Sequence, residues 1–417
     1  MSKLVYRGGP PAFSGKLIDY NPIGKEEKDA AMAVLESGKL SGFVATGDHR
    51  FYGGEKVQEF ESIFSKKIGT EYGISFNSAT SGLVAAIGAL RLNVGDEVIV
   101  PAQTMSASAA CALTYSAIPV FADVEKETYG LDPNSIRQRI SEKTKAIVVV
   151  HLYGHPARME EILAIANEYN LKIIEDCSQA PLAYYHSKNV GTFGDIGIFS
   201  LNFHKHINCG EGGIAVTNHE ELKERLCLIR NHGEVKGFTG DLSHTIGWNF
   251  RLTELQAAIA VEQTKKMDFL IGIKQKQAAK LSNLLSQFKW IRTPVVEKDC
   301  CHVYYDYPMQ FQLSGSGIDL NLLREVTALE NLPITDSYKP LYWQSLYQNK
   351  ICYGKDHFPF NLLSEKNENN YQKGSCVNAE KLYLQECLTF EICSYDLNDS
   401  VLECFPIMFE KIEKEFF

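Results

Sequence analysis

A lysine, a carboxylate and a hydroxyl-rich turn stand out, because each follows a short apolar run at a point where side chains can converge. Lys205 lies in Phe199-Ser-Leu-Asn-Phe-His-Lys-His-Ile-Asn-Cys-Gly-Glu-Gly-Gly213, just past a predicted strand and before a glycine-rich turn. Glycine lets the backbone bend sharply there, so the lysine can approach a ligand closely. In a low-dielectric pocket its amine sheds a proton more readily and becomes a nucleophile toward carbonyls. Asp176 closes the run Leu171-Lys-Ile-Ile-Glu-Asp176 and so sets a carboxylate at the C-terminal edge of a sheet. That edge is where α/β sheets place their ligands. Asn77-Ser-Ala-Thr-Ser-Gly82 links a strand to a helix and offers hydroxyls and free backbone N–H groups, an anion site.

Each feature also has a plainer reading. Lys205 alone reads as an exposed loop lysine. Asp176 reads as a helix N-cap ahead of Cys-Ser-Gln-Ala, and Ser78 or Thr80 as a simple cap. As a set, however, they match the needs of pyridoxal 5′-phosphate: a lysine for the aldehyde, a carboxylate for the pyridine nitrogen, donors for the phosphate and a support for the ring. Ser200 would add a hydroxyl to the same phosphate. Glu175 rivals Asp176, but strand alternation points it to the opposite face. His204 and His206 flank Lys205; in an extended segment alternation aims both away from the lysine, which makes them supporting residues.

The elements that must position these groups alternate. Residues 24–38 read as an amphipathic helix closing at Gly38, followed by a glycine-punctuated loop over Ser41–Gly54 and a helix over Val57–Lys67. Strands are expected at 74–76, 97–101, 119–122, 146–150, 172–174, 197–201 and 213–217, with helices at 81–90, 106–115 and 159–170 between them. Short apolar runs joined by helical crossovers indicate a parallel sheet buried on both faces. Beyond residue 252 the pattern becomes helical over Thr253–Leu284, then strand-like over His302–Gln312, with a helix at Leu320–Glu330. The Lys- and Asn-rich stretch Gly354–Lys373 reads as a surface loop. The expected division is an N-terminal segment plus large α/β domain over residues 1–260 and a smaller α+β domain over 261–417.

A chain of 417 residues can bury a substantial core, and 45% hydrophobic against 22% charged residues suits a soluble globular enzyme. The net charge of -9, without a basic stripe, argues against a nucleic-acid surface. The opening Met1-Ser-Lys-Leu-Val-Tyr-Arg-Gly-Gly-Pro-Pro11 has no apolar core of a signal peptide, and no run reaches membrane-spanning length. A cytoplasmic protein is expected. The 11 cysteines include no Cys-x-x-Cys pair, so reduced buried thiols are expected, and no metal site.

These pieces resemble the DegT/StrS-type sugar aminotransferases, pyridoxal-phosphate enzymes of the aspartate-aminotransferase fold. The matching residues are Asn77–Gly82, Gly95-Asp-Glu-Val-Ile-Val-Pro101, Pro119-Val-Phe-Ala-Asp-Val124 and Ile174-Glu-Asp-Cys-Ser-Gln-Ala180. Val190-Gly-Thr-Phe-Gly-Asp195, Phe199–Gly213, Arg230-Asn-His-Gly233 and Gly247-Trp-Asn-Phe-Arg-Leu-Thr-Glu-Leu-Gln-Ala-Ala258 follow in family order. The match spans residues 20 to 265 well and the remainder loosely, through Tyr338-Lys-Pro-Leu341 and Cys376-Val-Asn-Ala-Glu380.

The resemblance implies a role for each residue. Lys205 would hold the cofactor as a Schiff base and then shuttle a proton, Asp176 would pair with the pyridine nitrogen, and Gln179 would lie near the phenolic oxygen. Ser78, Ala79, Thr80 and Ser200 would gather the phosphate. Asn249 would reach the phosphate of a neighbouring subunit, which implies a homodimer with shared active sites. Met105 stands where the family places an aromatic residue over the ring, and a thioether can still pack on a π face. Val377 replaces a usual proline. The implied reaction moves an amino group from glutamate or glutamine, through pyridoxamine phosphate, to a keto sugar, first of all a nucleotide-linked one, or to a keto-cyclitol. Two alternatives stand beside it: a non-catalytic regulator that binds the cofactor, and a dehydratase with histidine in place of the lysine. Counting back from Gly210-Glu-Gly-Gly213 places Lys205, not a histidine, at that position. Specificity is expected to depend on loops at 41–54, 184–189 and 232–246.

Overall fold

A computed structural model describes residues 3–44, 48–234 and 245–417. The loops expected to set specificity at 41–54 and 232–246 therefore lie partly outside the described residues. The centre of the molecule is a seven-stranded sheet. Its order is Tyr72–Phe76, Gly213–Thr217, Ile196–Ser200, Lys172–Asp176, Thr144–Val150, Glu97–Pro101 and Ile118–Ala122. Only Gly213–Thr217 runs antiparallel to its neighbours. The expected mostly parallel α/β sheet is the one observed.

The composition of these strands explains their place. Ile99, Val120, Ile147, Val149 and Ile173 pack on one face of the sheet, and Val98, Val100, Val148, Ile174 and Ile198 on the other. A strand buried on both sides has no use for alternating polarity. Each such side chain taken fully out of water stabilises the fold by roughly 1.5–3 kcal/mol. Helix Ala79–Leu90 is alanine-rich and lies against the strands without crowding, capped by Ser78, whose Oγ accepts the Ser81 N–H at 3.1 Å.

A second sheet, in the order Ile291–Arg292, Tyr307–Phe311, Cys387–Phe390 and Thr335–Asp336, is antiparallel throughout. Helices Met267–Leu285, Leu320–Leu329 and Cys404–Phe416 supply its core, to which Leu4 from the start of the chain also belongs. The helical stretch expected over Thr253–Leu284 is two helices, Glu254–Lys265 and Met267–Leu285, broken at Lys266.

Two expectations in the C-terminal part need correction. The strand-like run His302–Gln312 forms a strand only from Tyr307. Before that, Val303 N–H donates to Gly154 O at 3.0 Å and Tyr305 N–H to Tyr153 O at 2.8 Å, so the segment is tied to the large sheet's loops. The stretch Gly354–Lys373 is no simple surface loop. It covers the edge strand Ile118–Ala122, where Asn370 is 1% exposed, accepts the Phe121 N–H at 2.6 Å and donates to the Phe121 carbonyl at 2.8 Å. One side-chain amide thus satisfies the pair of groups a further strand would have satisfied.

Candidate active site

The parallel strands end on one side of the sheet, and their last residues open a cavity of about 170 Å³. Asp176 ends its strand there, Ser200 ends the next, and Val150 a third. Ser78, Ala79, Thr80, Met105, Gln179 and Lys205 line the same cavity. Of the residues to which the resemblance gives a cofactor role, Asn249 is absent from it. That residue is exposed, beside the cavity's floor, with its carbonyl accepting from Asn77 Nδ2 at 3.4 Å.

Asp176 is 5% exposed, accepts the Ser108 hydroxyl on Oδ2 at 2.7 Å and accepts the Ser178 N–H on Oδ1 at 3.1 Å. The second bond caps a turn; the plainer reading expected a helix N-cap, but no helix follows Asp176. Glu175 points to the other face, as alternation requires. Its carboxylate accepts the N–H groups of Gly191, Phe193 and Gly194, each at 2.7 Å, and meets His151 Nε2 at 3.0 Å. Among the described residues, His151, Glu175 and Cys177 bring ligand atoms within 4.8 Å of one another. The glutamate's lone pairs are already engaged, and burial and the two acids push the Cys177 thiol well above its ordinary range. This cluster braces the strand end.

Lys205 is 8% exposed, and its Nζ lies 3.8 Å from the centroid of the Tyr305 ring and makes no hydrogen bond to any described residue. Burial lowers its pKa to about 8, against the opposing pull of Asp306 and Asp176. A buried amine without a hydrogen-bond partner is a costly group to keep for structure alone. The segment around it is a turn, since Lys205 N–H donates to Asn202 O at 2.9 Å, so the alternation assumed for an extended chain does not hold. The two histidines consequently differ. His206 is fully buried, with Nε2 2.8 Å from the Val303 carbonyl, and braces the loop. His204 lines the cavity with Lys205 and is held neutral, its pKa lowered to about 4 by burial and then by the lysine.

The anion end is built by close approach of two backbones. A Cβ on Gly213 would stand 2.4 Å from Ala79 N, so only glycine lets the antiparallel strand start against the helix N-terminus. The Ser81 N–H is taken by Ser78 Oγ and the Gly82 N–H by Ser78 O, which leaves the Ala79 and Thr80 N–H groups without an acceptor among the described residues. Free N–H groups at a positive helix end suit a phosphate. A buried lysine free of hydrogen bonds, a strand-end carboxylate and this cradle fit pyridoxal phosphate. Gln179 would meet its ring oxygen: Oε1 accepts the Tyr153 N–H at 2.7 Å and Nε2 donates to Tyr338 OH at 2.9 Å.

Sequence reasoning missed the residues that reach the site from elsewhere. Ser108 positions Asp176 from a helix that carries no chemical signal. Tyr305, Asp306 and Tyr338 come from the C-terminal part and line, with His204, a second and larger cavity of about 780 Å³ that opens beside the first. Tyr338 stood inside a quoted motif, which was the one available signal.

Comparison with known proteins gives the family. The model of the DegT/DnrJ/EryC1/StrS aminotransferase family matches residues 23–383. The chain is 39% identical over 284 residues to the dTDP-3-amino-3,6-dideoxy-alpha-D-galactopyranose transaminase of Aneurinibacillus thermoaerophilus, covering 67% of this chain and 74% of that one. It is 34% identical over 298 residues to a putative L-glutamine:3-amino-2,3-dideoxy-scyllo-inosose aminotransferase of Streptomyces kanamyceticus, covering 71% and 69%. The X-ray structure of an aminotransferase from Psychrobacter cryohalolentis superposes with a TM-score of 0.83 at 25% identity, over 95% of this chain and 99% of that one.

Proposed function

The chain belongs to the DegT/DnrJ/EryC1/StrS family and is a pyridoxal-phosphate-dependent aminotransferase, and we propose that it moves an amino group from glutamate or glutamine to a ketone on a sugar or cyclitol ring. The donor would leave as its 2-oxo acid and the ring ketone would become an amine, so atoms and electrons balance between the two. The observation that carries this reading is the buried Lys205 amine, packed on the Tyr305 ring and free of hydrogen bonds, in the same cavity as Asp176. Lysine at this position, in place of histidine, supports transamination over dehydration. The names of the relatives, directed to a dTDP-linked amino sugar and to an amino-inosose, support the ring acceptor.

When bound, pyridoxal phosphate would supply an electron sink for the carbon that bears the amino group. The protein's own residues do the rest. Lys205 Nζ would take the proton from the donor's α-carbon and return one to the former ketone carbon, a task suited to a pKa near working pH. Asp176, fixed by Ser108, would hold the proton on the ring nitrogen. The Ala79 and Thr80 N–H groups, with Ser78 and Ser200, would hold the phosphate, while Gln179 and Met105 would orient the ring. Asn249, exposed beside the floor, would complete the site of a second copy. No helix among the described residues is long and apolar enough to cross a membrane, and we read the enzyme as a cytoplasmic homodimer.

The test is the purified protein loaded with pyridoxal phosphate. It should show an absorbance band that borohydride removes, should release 2-oxo acid from glutamate or glutamine, and should aminate members of a panel of keto sugars and keto-cyclitols. A band that persists in Lys205→Ala, with the same loss on reduction, would sink the assignment.

A further inference from the structure

Lys205 lines the smaller cavity, but its amine rests on a side chain of the larger one, 3.8 Å from the centroid of the Tyr305 ring. That ring is held in place from both sides. Tyr305 N–H donates to Tyr153 O at 2.8 Å, and the Tyr305 carbonyl accepts the Cys393 N–H at 3.3 Å. The segment comes this close because residue 154 is glycine: at its φ of +98° a Cβ would stand 2.9 Å from Tyr304 N. Tyr305 is only 9% exposed, and its hydroxyl makes no hydrogen bond to any described residue.

The groups around the amine favour a cation on this ring. His204 and His206 set their rings 6.1 and 6.3 Å from that of Tyr305, but burial above all holds both neutral, with pKa values of about 4 and about 3. Neither brings a rival positive charge at neutral pH. Asp306 is foremost among the groups that favour the protonated amine, ahead of Asp176 and Cys393. Lys205 in turn favours the Asp306 carboxylate, against burial and Glu391. Lysine and aspartate thus face each other, with the lysine's charge over the tyrosine. An ammonium within about 6 Å of a ring centroid is attracted by the ring's quadrupole, most strongly where water is excluded.

We infer that Tyr305 is a positioning residue for Lys205: its ring seats the ammonium that forms when the amine takes a proton from the donor's carbon, and holds that proton for the acceptor's. The inference rests on the aminotransferase reading above and adds a residue to that same site. One proton arrives on Nζ and one leaves it, and no bond forms to the tyrosine. The seat lies where the two cavities meet, so a charged head on a flexible four-carbon stem is kept in one place and away from water.

The test titrates Lys205 in the cofactor-free full-length protein, by limiting acetylation with acetic anhydride over a pH series and mass spectrometry of the peptide that carries it. The wild-type midpoint is expected at about pH 8. Tyr305→Phe keeps the ring and should leave the midpoint there. A trifluorinated phenylalanine at the same position, whose fluorines drain the face of the ring, should lower it to about pH 7. Tyr305→Leu should lower it as far, with near-UV circular dichroism reporting the fold; the fluorinated ring keeps the shape and carries the test if the leucine variant does not fold. In single turnovers of the loaded enzyme, the acid limb of 2-oxo acid release should move down in pH with the midpoint. Equal midpoints in the phenylalanine and fluorinated proteins, a midpoint that only Asp306→Asn moves, or an acid limb that stays in place overturns the inference. Failure of the underlying reading is separate: the wild-type holoenzyme would then show no band that borohydride removes and release no 2-oxo acid, whatever the labelling gives.

Discussion

The floor and the wall of this site are built on different principles. On the floor, Asp176 and the Ala79–Thr80 cradle sit at ends of buried strands and the helix that follows one, and backbone geometry fixes where each points. On the wall, Tyr305, Asp306 and Tyr338 come from irregular segments more than 100 residues further along, tied down by a few hydrogen bonds to the Tyr153 loop. The floor is constrained by cofactor chemistry that is the same for any acceptor. On the proposed reading, the wall would face the part of the substrate that differs. A shared reaction therefore resides in the regular elements and the choice of substrate in the irregular ones.

The sharpest way to break this division is to remove the lysine. Lys205→Ala should lower 2-oxo acid release from glutamate or glutamine by about 10²–10⁴-fold, the usual worth of a positioned acid–base group. Single-turnover assays would measure it. A wall residue whose loss cost the donor reaction as much would mean that floor and wall are one unit.

The second test stays on the floor but moves one residue outward. Ser108→Ala removes the 2.7 Å hydrogen bond to Asp176 and leaves the carboxylate itself in place. A hydrogen bond to a charged group contributes about 1.5–3 kcal/mol, so the donor reaction should slow by roughly 10–100-fold. Ser108→Thr, which keeps the hydroxyl, should recover most of it. Equal loss in both variants would point to packing in place of positioning.

How much of this was legible follows the same division. Lys205, Asp176 and the Asn77–Gly82 turn could be found because a strand end, a glycine run and a capping serine are local signals. Glu175 could be set aside because alternation is also local. The neighbouring histidines could not be ordered, since that required knowing that Lys205 N–H closes a turn on Asn202 O. Tyr305 and Asp306 were hidden because the run 302–312 has strand-like composition throughout, and only its hydrogen bonds to Gly154 and Tyr153 stop the strand short. Gly354–Lys373 misled for a different reason. Asparagine marks turns because its amide imitates a peptide group, and here the imitation serves the edge of the sheet.

That substitution gives a prediction about stability apart from catalysis. Asn370→Ala would leave the buried N–H of Phe121 unpaired and its C=O with the weak Cys376 thiol donor at 3.8 Å. Each such group costs about 1–3 kcal/mol, so urea unfolding should show a loss of that order. The site lies at the far end of the sheet order, so 2-oxo acid release should be unchanged. A parallel loss of activity would show that the edge cover and the active site communicate.

The smallest expected effect concerns what the floor costs the fold before any cofactor binds. Lys205 has an ordinary value of 10.5 and is lowered to about 8 by burial. Between these values the unfolded chain holds more protons than the folded one, so this lysine's penalty is full below about pH 8 and relieved as pH rises toward 10.5. In cofactor-free protein Lys205→Met should therefore be the more stable form at pH 7, by on the order of 1 kcal/mol. Denaturant titrations at several pH values should show the two curves converging above pH 8. Asp306 predicts the reverse slope on the wall: its carboxyl is raised from 3.8 to about 7, so its cost grows as pH rises through that window. Asp306→Asn should thus gain stability relative to wild type at neutral pH and lose that advantage in acid. Opposite slopes from two neighbouring buried charges would show that burial sets both pKa values.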